Sequence, residues 1–226
     1  LVQLGEEQQA RAHIEAASEL YQQLVDETDQ VEYRQQLAAT LVELGLSMKY
    51  HGELEAAERT ANRGIALLAP LLSENTREDY VNVLEFHASL NQLKGEIQIS
   101  SHRKDEALVS YSSAKDVFER LRDADPDASH TIARLASTYR ALSDVCGQVG
   151  DIGQQEQYSR NALELYRKLM QRFPEDRHYC RGFAWACYDR SYSHEFFERT
   201  GDALDEMTEA EEVAGRLSAK YPLSDE

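Results

Sequence analysis

The sequence predicts an all-α fold, an α-solenoid made of antiparallel helix pairs. Strong helix formers fill the chain, whereas glycine (11) and proline (4) are scarce. Pro126, Pro174 and Pro222 follow long helical segments at intervals of 48 residues. Small residues keep nearly the same step at Ala17, Gly64, Ala114, Ala162 and Ala210. A fixed period of this length is typical of stacked helical repeats, in which each unit buries its apolar side against its neighbours.

The period divides the chain into one partial and four complete units. Residues 1–27 align with the second helix of later units, so the chain opens in mid-unit. The complete units are predicted at 28–75, 76–126, 127–174 and 175–222. We therefore expect one array over residues 1–226, with about nine helices in a right-handed superhelix. We also expect the array to be a fragment of a larger protein.

The first helix of each unit carries an apolar stripe at spacings of three and four, which places these side chains on one side of a helix. The stripes contain Leu37, Leu41 and Leu44, then Leu84 and Leu93, then Leu135, Tyr139 and Leu142, then Phe183 and Cys187. Small residues follow at Gly45, Gly95, Ser143 and Ser191. A residue without bulk there predicts a close approach of the partner helix.

The second helices are predicted at 56–72, 106–121, 154–173 and 203–221. Turns before them are indicated by Gly52, Gly150 and Gly201, because a glycine supplies the left-handed cap at a helix C-terminus. The run from His102 to Asp105 marks the corresponding turn in the second complete unit. Only Pro70 violates the helical pattern, since proline lacks a backbone donor and clashes with the preceding turn. We expect a kink or early fraying of the helix there.

Composition restricts the class of partner. Against 41 acidic residues stand 24 basic ones, a formal charge of −17, which disfavours nucleic acids and anionic membranes. A basic or neutral protein partner fits better, although the acidity could also serve solubility alone.

No run approaches the ~20 apolar residues that span a bilayer. Three cysteines within helical patterns favour free thiols in a reducing compartment, so we expect a cytoplasmic protein.

Catalytic and metal-binding patterns are incomplete. The run from His194 does not complete a zinc-protease helix, because Glu198 occupies the place of the second histidine ligand. Cys180 lies two residues after His178, and residues two apart on a helix point away from each other. We predict no catalytic residue, no metal site and no cofactor.

The densest aromatic stripe lies in the last unit, at Trp185, Tyr188, Tyr192 and Phe196. Exposed aromatic residues at helical spacing would form a binding hot spot, whereas buried ones would be core. Arg190 and His194 occupy the competing side of the same helix, which favours burial of the aromatic residues. Both interpretations stay open at this point.

The repeat resembles the tetratricopeptide (TPR) repeat. The resemblance rests on Leu44-Gly45 in a first helix, Gly150-Asp151 at a turn, Tyr111 with Ala114 in a second helix, and Pro126 after it. The period of 47 to 50 residues exceeds the family's usual ~34. The chain is thus similar to long-helix variants in bacterial multidomain proteins, including regions C-terminal to Ser/Thr kinase domains.

This resemblance implies a non-enzymatic scaffold that binds a peptide or protein segment in a concave groove lined by the first helices. The alternative is a structural or regulatory region of a larger enzyme, contacting its own chain or a second copy. Carried over by register, the implied partner-binding residues are Lys49, Tyr50, Arg140, Trp185, Tyr188, Tyr192 and Phe196.

Overall fold

A computed structural model describes residues 2–73, 80–196 and 199–220, and within these all side chains except 2–8, 73, 195, 196, 217 and 218. The described residues form nine α-helices and no strand, so the predicted all-α fold is confirmed. The helices are α1 (Val2–Thr28), α2 (Val31–Tyr50), α3 (Leu54–Leu68), α4 (Tyr80–Ser100), α5 (Lys104–Ala124), α6 (Ser129–Val149), α7 (Ile152–Arg172), α8 (Arg177–Phe196) and α9 (Thr200–Lys220).

The chain forms two compact units, Leu1–Val117 and Phe118–Glu226, and the division falls within α5. In the first unit, α2 packs on α1, α3 and α4. In the second unit, α7 packs on α6 and α8, and α8 packs on α9. The prediction of a single array over 1–226, with repeat boundaries near residues 28, 76, 127 and 175, stays a prediction.

Short turns fold successive helices into pairs. Gly52 and Gly150 adopt positive φ angles of 79° and 85° after α2 and α6, and His102 has a φ of 60° after α4. Backbone at positive φ turns the chain sharply and costs glycine no Cβ clash. The predicted turn at Gly201 is wrong, because α9 already begins at Thr200. The residues just before it, 197 and 198, lie outside the described residues.

The α3 helix stops before Pro70. Its last residue is Leu68, and a 3₁₀ turn spans Ala69–Ser73. The expected early end is confirmed, whereas the continuous second helix predicted over 56–72 is wrong. Proline has no N–H for the i−4 carbonyl and its ring collides with that turn, so the tighter 3₁₀ geometry replaces the α-helix.

The core of the first unit lies between α2, α3 and α4. Leu37 and Leu41 are buried with Val25 of α1, and Leu68 is buried with Leu90 of α4. Two glycines permit this packing. A Cβ on Gly45 would lie 2.6 Å from Cδ2 of Leu93, and a Cβ on Gly64 would lie 2.6 Å from Cδ1 of Leu90. Both glycines therefore admit a leucine side chain of α4.

The core of the second unit lies between α6, α7 and α8, where Leu142, Leu169 and Phe183 are fully buried or nearly so. Gly182 of α8 sits directly against the ring of Tyr166 on α7. A Cβ there would lie 2.3 Å from Cε1 of that tyrosine, whose side chain is itself buried. The α7–α8 contact thus depends on the absence of a side chain at Gly182.

The same ion pair recurs once in each compact unit. The arginine that immediately precedes a second helix donates to a glutamate of the preceding second helix. Arg103 Nη2 lies 2.6 Å from Glu58 Oε2 on α3, and Arg199 Nη1 lies 2.6 Å from Glu156 Oε1 on α7. The two arginines are 96 residues apart, two steps of the period.

All three cysteines are free and buried. Burial disfavours the thiolate and raises the pKa of Cys146 to about 11 and that of Cys187 to about 12, with a nearby carboxylate adding to the rise in each case. The pKa of Cys180 is raised as well, mainly by burial. The predicted free thiols are confirmed.

We expect Gly182→Ala to destabilise the protein by about 1–3 kcal/mol, because the added methyl would overlap the ring of Tyr166, which is only 3% exposed. Gly215→Ala is the matched control, since a Cβ there meets nothing within 4 Å on exposed α9. That change should raise stability by up to about 1 kcal/mol. Urea unfolding followed by circular dichroism measures both; equal midpoints for the two variants would contradict the Gly182–Tyr166 contact.

We expect the thiols to react with Ellman's reagent far more slowly in the folded protein than in guanidinium chloride. The raised pKa values alone reduce the thiolate fraction about a hundredfold at Cys146 and about a thousandfold at Cys187. As pH rises toward these values, the reaction of the folded protein should accelerate. Rapid labelling of all three thiols in the folded protein near pH 8 would contradict their burial.

Candidate functional site

The predicted partner-binding residues fall in both units. Lys49 and Tyr50 end α2 in the first unit. Arg140 of α6 and the aromatic residues of α8 belong to the second unit.

Three aromatic side chains project from α8 into solvent. Trp185 is 51% exposed, and Tyr188 and Tyr192 are each 53% exposed. The rings of Trp185 and Tyr188 meet edge to face with centroids 5.9 Å apart. We call these three residues the α8 aromatic face. The side chain of Phe196, the fourth predicted member, lies outside the described residues.

The opposite side of α8 is buried, and it is charged. The expectation that Arg190 and His194 favour burial of the aromatic residues is wrong, because His194 is only 2% exposed. Arg190 Nε donates to Glu206 Oε1 on α9 at 2.7 Å, and both side chains are nearly buried. An ion pair of this kind offsets the cost of burying the arginine, so the charged side of α8 can face inward.

His194 completes this buried group without a hydrogen bond. Its Nε2 lies 3.3 Å from the second carboxylate oxygen of Glu206, within ion-pair distance but without hydrogen-bond geometry. Glu206 thus lies between two side chains of α8. Their contacts fix the rotation of α8 against α9, and this rotation turns the aromatic residues outward.

Arg140 is held within the second unit. Its Nε donates to Asp189 Oδ2 at 2.7 Å, and its guanidinium carbon lies 5.7 Å from the centre of the Trp185 ring. Burial raises the pKa of Asp189, and the positive charge of Arg140 opposes that rise. The pair links α6 to α8 and supports Trp185 from one side. Asp189 was not among the predicted residues, although it directly follows Tyr188.

In the first unit, Lys49 forms an ion pair with Glu96 of α4. Tyr50 is 78% exposed and its ring meets that of His51 edge to face, with centroids 5.4 Å apart. The charge of Lys49 is therefore matched inside the unit. Tyr50 presents a large aromatic surface at the end of α2.

A cleft of about 430 Å³ lies beside the α8 aromatic face in the second unit. It is lined by Ser143, Asp144, Gly147, Gln148, Gln155, Tyr188, Asp189 and Tyr192. Gln155 lies on α7, the second helix of its pair. The binding residues implied by the TPR resemblance were taken from first helices only, so Gln155 was not among them. The one sequence signal for it is Gly147, a second small residue four positions after Ser143.

A second, mostly apolar groove of about 560 Å³ runs between α8 and α9 and shares Tyr188 with the first cleft. Trp185 and Tyr188 border it together with Met207 and Ala210 of α9. Residues of the α8 aromatic face therefore border a cleft lined mainly by polar residue types and a mostly apolar groove.

In the described ranges, no group of three or more His, Cys, Asp or Glu side chains is arranged to hold a metal ion. None of the described helices combines the length and the apolar character that crossing a membrane requires.

Three solved structures of repeat proteins resemble the whole chain. BtubC from P. vanneervenii matches with a TM-score of 0.56 at 15% identity, covering 97% of this chain and 95% of that one. MamA matches with a TM-score of 0.53 at 16% identity, covering 96% and 97%. A variant of a putative kinesin light chain with nearly identical TPR-like repeats, from Podosopora anserina, matches with a TM-score of 0.51 at 13% identity, covering 96% and 94%.

The fold is that of the TPR-like helical repeats. The likeness lies in structure and not in sequence, since no protein-family model and no curated protein matches the chain. The predicted resemblance to TPR repeats is confirmed at the level of the fold. The roles of the seven predicted binding residues stay predictions.

We expect Glu206→Ala to destabilise the second unit by about 3–5 kcal/mol, because it leaves Arg190 buried without its carboxylate. Glu212→Ala removes an exposed carboxylate from the same helix and should change stability by less than about 0.5 kcal/mol. Thermal unfolding monitored by circular dichroism and by Trp185 fluorescence measures both variants. Equal melting temperatures for the two would show that Glu206 does not hold α8 on α9.

Proposed function

We propose that this chain is a non-enzymatic scaffold that binds a peptide or protein segment, and that the α8 aromatic face is its principal anchor. The single observation that carries the proposal is the exposure of Trp185, Tyr188 and Tyr192 by about half. Large apolar rings in water are costly unless a partner covers them, and aromatic residues dominate the energetics of protein interfaces.

The surroundings of these rings also suit a partner. A helix in this position can anchor a peptide through its exposed rings while the flanking cleft and groove receive alternate side chains. Arg140 supports the Trp185 ring, and the contacts of Glu206 with Arg190 hold α8 against α9. A preorganised surface loses little conformational entropy on binding.

The charged residues predicted for binding have a supporting role in this proposal. Lys49 and Arg140 are already matched by Glu96 and Asp189. Such pairs shape the surface, and the pair of Arg140 with Asp189 positions the Trp185 ring. A charged partner interacts at longer range with the net negative charge of the whole chain.

We expect the paired change Tyr188→Ala and Tyr192→Ala to weaken peptide binding at least about tenfold, which corresponds to about 1.4 kcal/mol. The measurement is selection of a displayed random-peptide library on the immobilised protein, followed by titration of the selected peptides. Trp185 is the only tryptophan, so its fluorescence reports binding next to the changed residues.

The matched control is the pair Val81→Ala and Val109→Ala, which removes exposed apolar side chains outside α8 and should leave binding unchanged. Enrichment of the same peptides with the same affinity by the tyrosine variant would remove the α8 aromatic face from the proposal. Enrichment of no peptide above a bare surface would favour the alternative of a structural region in a larger enzyme.

A further inference from the structure

The apolar groove between α8 and α9 matches a surface that other hairpins of the chain keep buried. Each residue that lines it has a counterpart 146 residues earlier, three repeats back, on the α2–α3 hairpin. Six of these counterparts pack in clusters with α4 or lie against one of its side chains: Ala38, Val42, Ala61, Gly64, Ile65 and Leu68. The groove therefore has the same place in its hairpin as the surface that α4 covers.

In the first unit, the apolar stripe of α4 fills this surface. Leu90 lies against Gly64, where a Cβ would come within 2.6 Å of its Cδ1. Leu93 and Ile97 pack with Ala61 in one buried cluster. A first helix thus covers the space between the two helices of the preceding hairpin.

In the second unit, α8 covers the same surface of the α6–α7 hairpin. Ala162 and Tyr166 precede Ala210 and Ala214 by 48 residues, one repeat, and both are buried. The backbone of α8 at Gly182 lies directly against the ring of Tyr166. The structure therefore shows twice which kind of element covers this surface, namely an amphipathic helix of the first-helix type.

On the α8–α9 hairpin the surface is a groove of about 560 Å³. Ala214 takes the place of the buried Leu68 and is itself exposed, so the groove has room for a large side chain. Ala210 has the opposite effect, because its Cβ occupies the space that Gly64 leaves for Leu90. Close packing therefore requires a large residue opposite Ala214 and a small one opposite Ala210.

Two charged residues border the groove at places where the other hairpins are uncharged. Glu211 corresponds to Ile65 and Leu163, and Arg181 corresponds to Gln35. Both charged residues are exposed. An apolar centre with a charged, hydrated edge is typical of an interface between separate molecules.

We propose that the α8–α9 groove docks an amphipathic α-helix of a partner protein, in the manner of α4 on the α2–α3 hairpin. The proposal rests on the proposed function, since it specifies the form of the partner that the α8 aromatic face binds. The docked helix presents a large apolar side chain to Ala214 and a small residue to Ala210. A basic and an acidic side chain beside its apolar stripe face Glu211 and Arg181 respectively.

The sequence of α4 supplies the probe. A helix docked like α4 turns the position of Phe86 toward Ala214. It turns the position of Leu90 toward Ala210. The probe is a displayed library of the sequence Tyr80–Ser100, randomised at these two positions. Selection on the immobilised full chain should enrich large apolar residues at the first position and glycine or alanine at the second.

Titration of the selected peptides is followed by tryptophan fluorescence, because the only tryptophan of the chain borders the groove and α4 contains none. Asn91→Pro in these peptides should weaken binding at least about tenfold, since proline interrupts the helix near its centre. Circular dichroism should show a gain of helix when the unchanged peptides bind, because free helices of this length are marginal in water.

Three changes in α9 locate the effect. Ala214→Leu restores the side chain found at Leu68 and should weaken binding at least about tenfold without unfolding the protein, because Ala214 is exposed. Ala210→Gly should allow the peptide that retains Leu90 to bind about tenfold more tightly. Gly215→Ala is the control, since its Cβ meets nothing within 4 Å, and should leave binding unchanged. If Ala210→Gly does not fold, Ala214→Leu decides alone.

The outcomes separate the two proposals. Selected peptides that bind equally well with Asn91→Pro, or that bind the Ala214→Leu variant unchanged, overturn helix docking and leave peptide binding standing. Self-association of the full chain that Ala214→Leu abolishes, measured by sedimentation, also overturns it, because a second copy would then occupy the groove. Enrichment of no peptide from the α4 library overturns helix docking too. Only an additional failure of the random-peptide library would overturn the proposed function.

Discussion

Helices in this protein approach one another at places where one of them has no side chain. Gly45 and Gly64 receive leucine side chains of α4, and Gly182 receives the ring of Tyr166. Each contact brings two helix backbones nearer than any larger residue would allow, and close packing of the surrounding side chains follows from that spacing. The positions of α4 and α8 within their units depend on these contacts, and so does every surface those helices present.

The two sides of α8 show how a buried charge can expose an apolar surface. Phe183 and Cys187 place one side of the helix in the core, and Glu206 draws Arg190 and His194 to the same side. The aromatic residues are left on the outer side. Turning the helix over would bury the three rings but would expose Phe183 and Cys187, so apolar area does not favour the reverse orientation by the rings alone. Core packing of Phe183 and Cys187 and the enclosed pair of Arg190 with Glu206 both act in the observed orientation.

Regular features of this fold could be predicted from the sequence because they repeat. The period and the apolar stripes predicted the helix pairs, and proline chemistry explained the end of α3 before Pro70. A lone glycine was less informative. Gly52 and Gly150 adopt positive φ, whereas Gly201 lies inside the first turn of α9. The residue type is the same at all three positions, and only the neighbouring contacts distinguish them.

The candidate site could be predicted in part. Spacing identified Trp185, Tyr188 and Tyr192 as one stripe and assigned Phe183 and Cys187 to the apolar stripe of the repeat, but it did not show that Arg190 and His194 would be enclosed. That outcome depends on Glu206, a residue 16 positions after Arg190 on another helix. The cleft depends similarly on Gln155, whose amide lies against Gly147 across a helix pair. Pairings between helices of this kind have no periodic signature within one segment.

The recurring ion pairs restrict how repeats of this type can be rearranged. Arg103 and Arg199 occupy the same register, and so do Glu58 and Glu156. Asp151 follows Arg103 by one period of 48 residues, and Leu108 precedes Glu156 by the same interval. A hairpin transplanted by a single repeat would set an arginine beside leucine, whereas a shift of two repeats would restore the charge match. Exchanges over an interval of two repeats therefore preserve this charge match, whereas exchanges over one repeat lose it.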